Sequence, residues 1–462
     1  MVNPNKNDTV FHSPPSLWES RVVSLSSSSL WRPELLAPAK NLERLQVAIA
    51  YGADAVYVGG PRYGLRARAD NFNDRDLMAG VAFAREHGAQ VYVTLNAFLH
   101  DEDLVGLADY GRFLAAIGVK AAIVSDLGVI RMLQRACPDL DIHLSTQASC
   151  LNVSAARVWQ QAGVQRIIAG RELSIAAAGT LQQQAAIDVE LFVHGAMCMA
   201  YSGHCTISNF TAGRDSNRGG CIQSCRVPYF VTPDAVTSET QPAPTLATFM
   251  SSKDLWGIGL IGHFFEHRIA SLKIEGRMKS AFYVAMTVKA YRQALDAYAT
   301  GQWTPALQAQ LAADLRSIPH REYFTGSLAT PAGPDSIFGQ LGGINTGEAT
   351  YVGIVIDTTP DWIVLRLAEP LHLGDEIEII PFQGPPIPWR VTRLLSVQGE
   401  PRSEMRQDGV VCLPKVDCPG PVATIARYMI VRFRTRDWSL GDGTPEAPVG
   451  DWCDRPLLAP TH

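Results

Sequence analysis

The chain is poor in several things, and each shortage excludes a class. No apolar run approaches the ~20 residues that a helix needs to span a bilayer. Residues 1–32 hold no basic segment followed by a continuous apolar one, so no secretory leader is recognisable there. Serines crowd 25–30, but Asp8 and Glu19 and few arginines argue against a transit peptide. We expect 1–32 to be a disordered tail and the protein to be cytoplasmic. Charged residues make up 18% of the chain and the net charge is −5, which gives no support to a general nucleic-acid coat. A local basic groove remains open, because binding responds to where charge sits. No G-x-G-x-x-G follows the first apolar run, which weakens a dinucleotide fold, and no G-x-S-x-G elbow supports a serine hydrolase. Nine cysteines in 462 residues, an odd number, are too few for a disulfide scaffold.

Four of those cysteines are the most informative feature present. They read Cys198-x6-Cys205-x15-Cys221-x3-Cys225, in a segment rich in glycine and small polar residues. Four thiolates on a flexible loop can wrap an ion or a cluster. The donor set suits tetrahedral zinc or a cubane iron–sulfur cluster. Structural zinc sites usually pair their ligands in two short knuckles, and only the last pair here is short, so the spacing favours [4Fe–4S]. Cys137, Cys150, Cys412, Cys418 and Cys453 are scattered and read as ordinary thiols.

From residue 33 to 300 a strand-then-helix rhythm repeats. Apolar runs at 34–39, 55–60, 90–96, 121–126, 141–147, 166–171, 189–195 and 270–276 alternate with helical patterns, one of them near 253–267. Asn41 is a plausible first N-cap. The runs are apolar on both faces, as buried parallel strands are. Eight such units predict an α/β fold, a closed (β/α)8 barrel, with a doubly wound open sheet as the alternative. A connector at 301–345 leads to 346–435, where short alternating runs punctuated by glycine and proline predict a small all-β barrel. Residues 436–462 read as a flexible tail.

In a barrel the active site lies at the C-terminal ends of the strands. Asn96, Gln147, Arg171, His194, Lys273, Glu275 and Arg277 fall there, and the cysteine segment, 196–226, leaves the seventh strand directly. Lys273 and Glu275 share a strand face. Both would point into the barrel, where charges are expensive unless paired. His194, Lys273 and Glu275 are therefore the catalytic candidates, with a satisfied core histidine and a structural ion pair as the plainer readings. Tyr201 and Lys253 are weaker candidates near the mouth.

Several long stretches, in order, resemble peptidase family U32, the collagenase-like family: ELLAPA, AYGADAVYVGGPRYGLRARADNF, DLGVI, HLSTQASCLN, HGAMCMAYSGHC, CRVPY, SSKDL, SLKIEGRMKS and HREYFTGSL. The resemblance implies a [4Fe–4S] cluster on the four cysteines. It is strongest to the branch that forms 5-hydroxyuridine at the tRNA wobble position, which implies tRNA as substrate and prephenate as hydroxyl donor, without oxygen. Sister branches hydroxylate a cytidine of 23S ribosomal RNA or act in ubiquinone biosynthesis, and the family name suggests a peptidase. The stretch between Cys225 and Ser251 is shorter than in the tRNA branch. Prephenate carries two carboxylates, and arginines grip carboxylates through bidentate hydrogen bonds. Arg62, Arg66 and Arg68, in PRYGLRAR, are candidates for that grip, with RNA phosphates or solvent as alternatives. Arg66, Arg68, Asn96, Gln147, Arg171, Lys253 and Arg277 make up the expected substrate-binding set.

His263 to His267 matches H-x-x-E-H, a zinc-protease pattern. It precedes the eighth strand, on the barrel's stability face, and we expect no metal there. Arg390, Arg393, Arg427, Arg432 and Arg434 give the C-terminal domain a basic face that can hold RNA or serve as scaffold.

Overall fold

The computed structural model describes residues 31–65, 71–231, 245–338, 347 and 349–434. Of the expected tails, residues 1–30 and 436–462 lie outside the described residues, as do Arg66 and Arg68, whereas Arg32, at the end of the first expected tail, pairs with Asp54 at 2.8 Å.

All eight expected barrel strands form: β1 Glu34–Pro38, β2 Ala55–Gly59, β3 Gln90–Leu95, β4 Ala121–Val124, β5 Asp141–Leu144, β6 Arg166–Ile168, β7 Asp188–Ala196 and, later in the chain, Ser271–Ile274. Each pairs in parallel with the next. The last pairs with both β7 and β1, which closes the barrel. The intervening helices are α1 Leu42–Ala50, α2 Asp74–Glu86, α3 Leu107–Ile117, α4 Leu127–Ala136, α5 Val153–Gln161 and α6 Ile175–Ala185. Their starts are set chemically. The side chains of Asn41, Asn73, Asp126, Asn152 and Ser174 each accept a hydrogen bond from the amide three residues on, satisfying a donor that a helix's first turn leaves open.

After β7 the chain builds the cysteine segment, with a short helix α7, Ile207–Ala212, and a hairpin of β8, Tyr229–Val231, and β9, Thr245–Ala247. The helix expected near 253–267 is corrected. Asp254–Trp256 is a strand, β10, antiparallel to the end of β7, and the helical part is a 3-10 turn, Ile258–Leu260, leading into Ile261–Glu266, α8. The reason is the length of β7. It outruns its barrel neighbours and leaves an edge that β10 pairs. Gly257 allows the close approach, since a Cβ there would stand 2.7 Å from Val193 Cγ2. Ser271–Ile274 is β11, followed by the long helix α9, Ala281–Ala299. The described part of the expected connector, 301–338, holds elements of its own. Pro305–Arg316 is α10, and β12, Tyr323–Phe324, pairs in parallel with β10.

The C-terminal strands are β13 Tyr351–Thr358, β14 Trp362–Leu367, β15 Leu371–His372, β16 Glu376–Ile380, β17 Ile387–Arg390, β18 Leu394–Leu395, β19 Pro401–Arg402, β20 Glu404–Met405, β21 Val410–Pro414 and β22 Ile430–Phe433. Eight of them form one antiparallel sheet, a half-barrel, and β15 pairs with β20 apart from it. The half-barrel is fixed to the barrel's α1 and α9. Tyr51 Oη donates to Ile380 O at 2.7 Å and accepts from Ile430 N at 3.0 Å. Lys289 Nζ donates to the carbonyls of Pro381 and Gly384 at 2.7 and 2.9 Å. Ile354, Ile380 and Ile430 belong to the barrel's own core, so the two sheets share packed surface.

Candidate active site at the barrel mouth

A cavity of about 230 Å³ opens at the C-terminal end of the barrel. Its floor is the strand ends, including Tyr57, Asn96, Gln147, Arg171, Phe192, Lys273, Glu275 and Arg277, and its roof is the cysteine segment. All four expected cysteines line it, and all four are free thiols. Burial pushes the thiols of Cys198 and Cys225 up. Arg171 opposes this at Cys198 and Arg226 at Cys225, while the neighbouring cysteines push the same way as burial. The four sulfurs thus sense one another across one space. They are the donor set this chain offers for a metal group. Among the described residues no three His, Cys, Asp or Glu side chains stand close enough for a single metal ion. A lone tetrahedral ion with bonds of about 2.3 Å needs sulfurs about 3.8 Å apart.

The roof is held down at defined points. Ser202 N and Oγ donate to the Glu172 carboxylate at 3.0 and 2.9 Å. Arg226 donates to Ser252 O at 3.0 Å and also to Met197 O. Asn217 Nδ2 donates to Cys205 O at 2.9 Å. Gly203 has φ +84°, and a Cβ there would collide with Gln147 O at 2.1 Å, so only glycine lets the roof touch the floor here.

Below the cavity the barrel interior is charged. Glu190, fully buried, accepts from Lys273 Nζ at 2.8 Å and from Arg166 at 3.4 Å. Arg166 also donates to Glu34 at 2.6 Å. Lys273 Nζ lies 4.3 Å from the centre of the Tyr57 ring. Burial lowers the Arg166 pKa, but Glu34 and Glu190 outweigh it and hold the guanidinium charged. His143 is driven well below its usual value by burial, and then by Arg166 and Lys273, so it is neutral. Burial likewise keeps the Tyr57 phenol protonated.

The expected residues divide cleanly. Asn96, Gln147, Arg171, Lys273, Glu275, Arg277 and Tyr201 meet at the cavity with the cysteines. Asn96 Nδ2 donates to Ser145 Oγ at 3.0 Å. Arg277 donates to Thr94 Oγ1 and Asn71 Oδ1, each at 3.2 Å, and lies over Gly59, where a Cβ would come within 2.5 Å of its Nη1. Arg171 lies 3.9 Å over the Phe192 ring and 3.7 Å from Glu275 Oε2. Arg171 Nε, Gln147 Oε1 and Ser216 Oγ are buried with no hydrogen-bond partner among the described residues, so the cavity offers a donor, an acceptor and a hydroxyl to a ligand.

Two expectations are corrected. His194 does not reach the cavity. β7 bulges where Lys273 pairs with Phe192 but Ile274 pairs with His194, so Val193 is an extra residue and the alternation reverses. His194 turns outward to Tyr291, whose Oη lies 3.3 Å from its Nδ1, and burial pushes its pKa down to about 3. Lys253 also points away, to Glu322 at 2.7 Å, and is absent from the cavity lining. The H-x-x-E-H pattern sits before β11 as expected, with His263 bonded to Glu266 on the surface at 3.0 Å. Sequence reasoning missed Glu190, Glu34, Arg166, Glu172 and Arg226. A glutamate inside the apolar run VELFV was the one visible signal.

Known proteins place this arrangement. The pattern of peptidase family U32 matches residues 40–336. The chain is 41% identical to tRNA hydroxylation protein P1 of Bacillus subtilis, over 77% of this chain and 84% of that one. It is 32% identical to tRNA hydroxylation protein P of Escherichia coli, over 77% and 87%. It is 33% identical to the 23S rRNA 5-hydroxycytidine C2501 synthase of Escherichia coli, over 76% of this chain and 52% of that protein. The chain belongs to peptidase family U32.

Proposed function

We propose that this member of the U32 family is a cytoplasmic RNA hydroxylase that forms 5-hydroxyuridine at the wobble position of tRNA, with prephenate as hydroxyl donor and without oxygen. One observation carries the reading: four free thiols and the barrel's cationic and amide groups line the same cavity, in a chain 41% identical to a tRNA hydroxylation protein. Cys198, Cys205, Cys221 and Cys225 would hold a [4Fe–4S] cluster, which when bound would supply redox or Lewis-acid chemistry at the roof. Arg171 and Arg277 would grip the donor's carboxylates. Asn96 and Gln147 would orient the base edge, and the anchored roof would exclude water. Lys273, charge-balanced by Glu190, and Glu275 would hold or move a proton at the floor.

The tRNA reading is favoured over the ribosomal one by length. The chain spans 84% and 87% of the two tRNA hydroxylation relatives and 52% of the ribosomal one. A peptidase reading gains no support from the Ser149–His204 contact among the described residues. Ser149 Oγ lies 3.2 Å from His204 Nδ1, but that nitrogen also faces Ser202 O at 2.9 Å, so it donates there and is not free to take the serine's proton. The test is mass spectrometry of tRNA nucleosides from cells with and without the gene. Loss of 5-hydroxyuridine and its derivatives, restored by the native gene but not by Cys205→Ser, is expected. An unchanged nucleoside profile overturns the proposal and turns attention to ribosomal cytidine.

A further inference from the structure

The segment that carries the cysteines also carries rings that the fold leaves in water. Phe210 is 88% exposed, Phe230 76% and Tyr201 51%. They are not loosely held. The inner face of α7 is bonded to the turn beside Cys225, with Thr211 Oγ1 donating to Ser224 Oγ at 2.7 Å and Ser208 Oγ 3.3 Å from it. This holds Phe210 out on a fixed helix. Tyr229 Oη donates to Ser224 O at 2.8 Å, which ties β8 to the same turn, and Phe230 follows on that strand. Two exposed phenyl rings are therefore anchored through one serine, next to a cluster cysteine, while Tyr201 also lines the cavity.

Charge singles out the same segment. Residues 196–231 contain Arg214, Arg218 and Arg226 against Asp215 alone, with no lysine or glutamate, in a chain of net −5. Arg218 pairs with Asp103 at 2.7 Å, and Arg226 also donates to the carbonyls of Ser252 and Met197. The segment's positive charge without a carboxylate partner among the described residues therefore lies on Arg214 and Arg226. Rigid exposed aromatics beside excess positive charge match unpaired RNA, whose bases stack on rings while cations meet phosphates.

We propose that Phe210 and Phe230 are stacking platforms for the unpaired bases that flank the nucleotide held in the cavity. The inference rests on the RNA-hydroxylase reading and adds how the RNA is held. A base that undergoes chemistry must leave its stack. Its neighbours then lose a stacking partner, and fixed rings at the mouth replace it.

The test is binding of an RNA hairpin with a uridine-containing loop, and of the fully paired duplex of its stem, to the iron-loaded native protein and to Phe210→Ala, Phe230→Ala and the matching Trp variants. Native protein should prefer the hairpin. Each alanine should weaken hairpin binding about tenfold, tryptophan should restore it, and iron content and visible absorption should stay at the native level. Hairpin binding unchanged in both alanine variants overturns the inference and leaves the RNA reading standing. If those variants instead slow reduction by a protein donor at native RNA affinity, the rings belong to a protein interface and the inference falls. Failure of the native protein to bind the hairpin overturns the inference and the RNA reading together.

Discussion

The two sheets of this protein fill their interiors in opposite ways. The half-barrel is packed with Val355, Ile363, Leu365, Ile377, Leu413 and Val431, and Ser396 is the one buried polar residue among those described from 349 onward. The (β/α)8 barrel, usually filled by branched apolar side chains, instead buries Glu190, Lys273 and His143, with Arg166 and Glu34 beside them. A buried ion pair rarely adds net stability over apolar packing. The barrel therefore gives up stability along its axis, directly under the cavity, and the half-barrel, which shares core residues with it, supplies apolar packing that carries no chemistry.

The largest effect should come from breaking the axis. Lys273→Ala leaves Glu190 with only Arg166, at 3.4 Å, and should cost about 3–5 kcal/mol in urea unfolding and abolish activity. The paired substitution in the other sheet, Leu365→Ala at a fully buried site, should cost about 2–5 kcal/mol while activity per folded molecule stays native. If Lys273→Ala costs under about 1 kcal/mol, the axis is not the dry ionic column that the comparison requires.

What could be read in advance follows the same division. The eight barrel strands were legible because each is an apolar run bracketed by a helical period. Asn41 was legible as a cap because it precedes that period. The convergence of the four cysteines over the mouth followed from one fact, that their segment leaves the end of β7. The parity of Lys273 and Glu275 was legible too, and both reach the cavity. His194 was misplaced because parity counting assumes an unbroken strand, and the bulge at Val193 depends on how β7 meets β11 in three dimensions. Strands β10 and β12 were missed because three residues and two residues carry no period at all. The ion partners Glu34, Arg166 and Glu190 come from three separate strands, and only barrel closure brings them together.

The seam between the sheets gives an intermediate effect, and it has a sign. Burial lowers the pKa of Lys289 from 10.5 to about 8. Below about pH 8 the ammonium is charged both folded and unfolded. Between about 8 and 10.5 the unfolded chain binds the proton and the folded one does not, so stability rises with pH. Relative to Lys289→Met, the native protein should gain roughly 2–3 kcal/mol across that window and lose it again as pH falls back through 8. Its bonds to Pro381 O and Gly384 O survive deprotonation, because the neutral amine still donates two hydrogens. A flat difference between the two proteins would mean that water reaches the seam, and the sheets would then be separate bodies.

The smallest effect should come from a change that keeps charge and alters shape. Arg171 combines three contacts at the mouth: its face lies over Phe192, one Nη approaches Glu275, and its buried Nε has no partner among the described residues. That leaves an edge of the guanidinium for a ligand. Arg171→Lys keeps the positive charge that lowers the Cys198 thiol, but a lysine offers a point charge where the arginine offers a fork. Folding should be nearly unaffected, since no strand pairing depends on the side chain. The proposed donor, prephenate, should, if it binds here, bind about tenfold more weakly, about 1.4 kcal/mol, with the loss in KM and not in kcat. A variant with native KM would move the carboxylate grip to Arg277, which Gly59 leaves room for. A loss confined to kcat would instead tie Arg171 to Glu275 as part of the proton-handling floor.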